Sequence, residues 1–162
     1  MERLLVAIDC MSGCQQIFQY LVRVLMGTRN CRFYLFHILP TVSPDKLRMD
    51  ALQRIERMHA TRPDLAGYFW KEEDEKRMDR NFEQAREILI EGGFPEEAIV
   101  SHFGVESGDL ADIILQKAAE LGCSTIILGR RRYGRVKEFL LGSVSGTVLR
   151  LARGTSIWVI EN

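Results

Sequence analysis

Five short apolar runs, each separated from the next by a helical stretch, constrain this chain more than any other feature. Leu4–Ile8 is continuously apolar and ends at Asp9. Cys31–Leu39 is stopped by Pro40. Ala98–Phe103, Thr125–Leu128 and Thr155–Ile160 follow. A run without polar alternation marks a strand covered on both faces, as in a parallel sheet. Between the first two runs, Gln15–Met26 carries Ile17, Phe18, Leu21, Val22, Val24 and Leu25 at helical spacing, and Gly27 closes it. The same spacing predicts helices over Lys46–His59, Lys71–Glu91, Leu110–Leu121 and Val144–Arg153. No hairpin signal joins any two strands. The expected fold is therefore α/β: an open, doubly wound, five-stranded parallel sheet with helices on both faces. In such a sheet a ligand sits beyond the carboxyl ends of the strands, where the strand order reverses. If the first and fourth runs are neighbours there, Asp9, the His37-Ile38 pair and Gly129 converge on one crevice.

Composition narrows the function classes. At 162 residues, 46% of them hydrophobic, the chain can bury one core, and it reads as a single domain over 1–162. The formal net charge is zero. That argues against a global basic field for nucleic acid. No apolar run approaches the roughly 20 residues needed to span a bilayer, so no membrane partner is expected. Met1-Glu-Arg leads straight into the first strand with no export signal in view. The expectation is a cytoplasmic protein with reduced thiols. Cys10 and Cys14 have the wrong spacing for a zinc knuckle, and Cys31 and Cys123 fall at strand entries. His37, His59 and His102 are scattered. Cysteines and histidines alike are expected to be structural.

The densest chemistry lies between the fourth strand and the last helix. Gly129 and Gly142 bracket five basic residues, Arg130, Arg131, Arg132, Arg135 and Lys137, and Ser143-Val144-Ser145 follows. Glycine lets a backbone approach a ligand closely. A helix N-terminus presents N–H groups and the positive end of a dipole. Together these can hold a phosphate. Other motifs fail on inspection. Gly129-x4-Gly134-Arg135-Val136 has P-loop glycine spacing, but Arg and Val stand where Lys and Ser/Thr are needed. Gly142-Ser-Val-Ser-Gly146 is not a nucleophile elbow, because its central residue is Val144. No His-x-Gly-His run points to nucleotidyl transfer. Asp9 is a lone carboxylate, so no acid/base pair is visible.

These residues resemble the nucleotide-binding signature of the universal stress protein family: Gly, two residues, Gly, nine residues, then Gly-Ser or Gly-Thr. Gly129 and Gly142-Ser143 keep the spacing, and Val144-Ser145 continues the usual wording. Asp9 after Leu4–Ile8, Phe36-His37-Ile38, and Gly104-Val-Glu-Ser-Gly108-Asp109 also resemble family positions. The resemblance implies an adenine nucleotide alpha hydrolase-like fold and a sensor or regulator that binds ATP, with Mg²⁺ as a candidate companion and at most slow hydrolysis. It implies that Asp9 and the backbone near Ile38 serve the adenosine end. Gly129, Arg130, Arg132, Gly142, Ser143, Val144 and Ser145 would hold the ribose and phosphates. It also implies a homodimer through Thr155–Ile160, which as an apolar edge strand invites pairing.

Two positions depart from the pattern: Cys10-Met11 follows the first strand where the family usually has Gly or Asp-x-Ser wording, and Arg132 stands where the second signature glycine falls. Either Arg132 disables the site, leaving a regulatory or interaction module without nucleotide, or its planar guanidinium pairs with a phosphate. The sequence leaves both open.

Overall fold

The computed structural model describes residues 1–9, 15–26, 30–130 and 142–161. Along the chain run β1 (Glu2–Ala7), α1 (Gln15–Leu25), β2 (Cys31–Leu39), α2 (Met49–His59), α3 (Glu72–Glu91), β3 (Ile99–Val105), α4 (Leu110–Glu120), β4 (Thr125–Arg130), α5 (Ser143–Leu151) and β5 (Ser156–Glu161). The five strands form one parallel sheet in the order β3-β2-β1-β4-β5. The order runs outward from β1 in both directions, so β1 and β4 flank the point of reversal, as a doubly wound sheet requires.

Alternation along the strands divides the core in two. Leu4, Val6, Phe33, Leu35 and Ile127 face α1 and α3, which contribute Phe18, Leu21, Phe82 and Leu89. Leu5, Phe36, Ile126 and Leu128 face α4 and α5, which contribute Ala111, Ile114, Ala118 and Val148. Both faces of every central strand are thus buried, which explains the unbroken apolar runs.

Several elements differ from expectation. Val24 is 47% exposed rather than inward, because the buried stripe of α1 is confined to Ile17, Phe18 and Leu21. The helix expected over Lys46–His59 splits into one 3₁₀ turn, Pro44–Lys46, and α2. Leu47 and Arg48 between them are extended. Within α2 only Ile55 is fully buried. Trp70, in a stretch without periodicity, is 0% exposed. It packs edge-on against Phe103 and donates its indole N–H to Glu75 Oε2 at 3.0 Å.

The two edges of the sheet are finished differently. In β3, Glu106 N–H donates to Leu39 C=O, so alternation turns the backbone groups of Ile99, Ser101 and Phe103 away from β2. Arg62 donates to Phe103 C=O at 3.1 Å with its guanidinium carbon 5.1 Å from the Phe103 ring centre, and Arg86 donates to Ile99 C=O at 3.4 Å. In β5, Ser156 N–H donates to Ser124 C=O at 3.0 Å. The backbone groups of Trp158 therefore face β4, and those of Ile157 and Val159 face outward.

Candidate functional site

At the carboxyl ends of β1, β2 and β4 lies a cavity of about 250 Å³. Among the described residues its floor is apolar, from Ala7, Ile17, Phe36, Ile114 and Leu128, and its polar groups are few: Asp9, His37 and Ser145. An apolar hollow with a small number of convergent polar groups is the usual form of a small-molecule site.

Of the residues singled out in the sequence, Asp9, Ile38, Gly129, Val144 and Ser145 line this cavity. Three different strand ends and one helix start bring them together. Gly142 and Ser143 sit beside them without lining it. The cap of α5 is Gly142, and Ser143 is the first residue of the helix. Gly146 N–H makes the first helical bond, to Gly142 C=O at 2.9 Å. The N–H groups of Ser143, Val144 and Ser145 thus have no acceptor within the helix. They gather positive potential beside the cavity. Arg130 pairs with Glu161 through the β4–β5 ladder. Arg132, Arg131, Arg135, Lys137, Cys10 and Cys14 lie outside the described residues.

Gly142 is informative for what it does not need. Its φ is −51° and ψ 153°, open to any residue, and a Cβ built on it meets nothing among the described residues.

His37 is the residue that sequence reasoning undervalued. It is 7% exposed and lines the cavity. Its Nδ1 lies 2.6 Å from Ile8 C=O. A carbonyl only accepts, so Nδ1 carries the proton. Burial, first of all, pushes the imidazole below its ordinary pKa, against the opposing pull of the Ile8 hydrogen bond and of Asp74. The signal available in the sequence was its place at a strand end facing Asp9. Cys31 and Cys123 are buried free thiols, and burial raises Cys123 to about 11, so neither is a ready nucleophile. Among the described residues no three His, Cys, Asp or Glu side chains gather to hold a metal ion. No described helix is long and apolar enough to cross a membrane.

A model of the universal stress protein family matches residues 1–159. The chain belongs to that family. Solved universal stress proteins share its fold at low identity. One from Archaeoglobus fulgidus superposes with a TM-score of 0.68 at 19% identity, over 99% of this chain and 98% of that one. A structure of the universal stress protein from the same organism in complex with dAMP gives 0.63 at 18%, over 99% and 98%. An Arabidopsis thaliana universal stress protein family protein with AMP bound gives 0.63 at 15%, over 100% and 92%. No curated protein sequence matches the chain.

Proposed function

We propose that this universal stress protein binds an adenine nucleotide, ATP, in the cavity between β1 and β4, and acts in the cytoplasm as a sensor or regulator of a stress response. One observation carries the reading: Asp9, Ile38, Gly129, Val144 and Ser145, distant in sequence, line one cavity at the point of strand reversal. Relatives solved with dAMP and AMP support it. In this reading the apolar floor takes the base, and Asp9 takes a ribose hydroxyl. The N–H groups opening α5 take phosphate oxygens. Any Mg²⁺ arrives on the phosphates, since the described residues offer no cluster to hold it. With no positioned base or nucleophile among the described residues, hydrolysis is expected to be slow at most.

Isothermal titration with ATP and AMP, with and without Mg²⁺, tests this. Heat saturating at one nucleotide per chain is expected, and silence at millimolar nucleotide would sink the proposal. Gly142→Ala sharpens it. A methyl there meets nothing among the described residues, so stability should stay within about 0.5 kcal/mol, whereas nucleotide affinity falls. Arg132→Gly separates the two readings of that position: weaker binding makes Arg132 a phosphate ligand, and gained binding makes the native site a disabled one.

The partner in this reading is a second copy, paired through β5. Its outward backbone groups at Ile157 and Val159 are presented on a half-buried apolar strand, and Tyr20 and Val24 of α1 extend the apolar surface beside it.

A further inference from the structure

The β1–β2 ladder breaks one rung early, and the break falls at the cavity. In register, each even-numbered β1 residue bonds two β2 residues, one through its N–H and one through its C=O. Ile8 keeps the first of these bonds: its N–H donates to Phe36 C=O at 2.8 Å. The second would run from Ile38 N–H to Ile8 C=O. Instead that carbonyl receives the His37 imidazole, Nδ1–H to O at 2.6 Å. The same alternation turns both the N–H and the C=O of Ile38 toward β1, and Ile38 lines the cavity. A side chain has taken the place of a backbone donor, and the displaced donor faces the cavity.

We propose that His37 is a positioning residue. By occupying the Ile8 carbonyl it keeps the Ile38 N–H available to a ligand and fixes the peptide that leads into Asp9. Ile8 is then held at both ends, by Phe36 through its N–H and by His37 through its C=O, so the chain enters Asp9 in one orientation. A leucine at 37 would fill similar space with no donor. The carbonyl would then draw in the Ile38 N–H, because a buried acceptor left unpaired is strongly disfavoured. The last rung would close, and the Ile38 N–H would be consumed by the sheet.

The ligand side of this inference rests on the nucleotide reading above, so the test has one arm that needs no ligand. In ¹⁵N spectra of the unliganded protein, His37 should show the neutral tautomer with the proton on Nδ1. The Ile38 amide should exchange with solvent faster than those of Tyr34 and Phe36 on the same strand, and His37→Leu should slow it. A proton on Nε2 alone, or an Ile38 amide already as protected as Phe36 in the wild type, overturns the proposal. These results stand whether or not wild type binds nucleotide. In the second arm, AMP is titrated into wild type, His37→Leu and His37→Asn. The asparagine places an amide donor near the position of Nδ1. His37→Leu should bind about tenfold more weakly, and His37→Asn should recover most of that loss. Equal affinity in all three, with wild type binding, overturns the positioning role. No binding by wild type overturns the nucleotide reading and leaves the first arm to decide on His37.

Discussion

The two edges of the sheet begin from the same problem and end differently. Both β3 and β5 turn one row of backbone groups away from the sheet, and such a row is a template for another strand. On β3 two arginines, Arg62 and Arg86, reach back from neighbouring elements to the outward carbonyls of Ile99 and Phe103. Trp70 stands edge-on behind Phe103, and Thr61–Trp70 and α3 supply the wall. On β5 the strand is half-buried and mostly apolar, from Ile157 to Ile160. The difference teaches where association belongs. One edge is closed by charge and packing, and the other keeps outward backbone groups on an apolar strand, where we propose that a second copy pairs.

The largest effect is expected at the wall. Trp70→Ala empties a fully enclosed site and removes the indole donor to Glu75. A loss of about 3–5 kcal/mol is expected in urea unfolding, with aggregation in the transition zone as the β3 edge is uncovered. A loss under about 1 kcal/mol would break the idea that the wall is firm. Next is Val159→Pro, which removes an outward N–H and no bond to β4. In the proposed pairing, sedimentation should show wild type as a dimer and the variant as a monomer, and a variant that dimerises like wild type would show that β5 does not pair through its backbone. Arg62→Ala is smaller. It should cost about 1 kcal/mol, from one hydrogen bond to a carbonyl, one contact with an aromatic face and a partly exposed ion pair with Asp64. Light scattering should detect larger species than in wild type as the β3 edge opens.

The smallest effect is a pH dependence on the β3 side of the sheet. His37 on β2 and His102 on β3 both have pKa values lowered, chiefly by burial, and His102 also by Lys117 and Arg62. Their ordinary value is about 6.5, so above it both states of the chain leave them neutral and stability is whole. As pH falls below 6.5 the unfolded chain takes up protons that the folded chain resists. Stability therefore declines until pH passes the lower, folded values. Unfolding midpoints measured from pH 7.5 to 5 should fall accordingly. Replacing His102 with Gln should flatten part of the slope.

The strands were legible because burial on both faces writes itself as unbroken apolar sequence, and the order of elements then left few topologies. Val24 misled because a β-branched apolar residue at helical spacing looks inward, yet α1 buries only a narrow stripe. The stretch from 40 to 70 was harder. Its structure depends on single residues finding distant partners, as Arg62 finds Phe103 and Trp70 finds Glu75, and no local period announces such contacts. At the site, Asp9, Ile38, Gly129, Val144 and Ser145 were legible as strand ends and a helix start. His37 looked like one more core histidine, because the event that distinguishes it is a missing backbone rung, which exists only once β1 and β2 are aligned.

The chain's two tryptophans also make it an optical instrument. Trp70 is sealed from solvent beside one edge, and half-buried Trp158 lies on the other. Emission from Trp70 should stay blue and resist quenching by iodide until the wall opens. Trp158 should be quenched in dilute protein and shielded as copies pair. Two variants, Trp158→Phe and Trp70→Phe, would let each edge be watched separately by its own light.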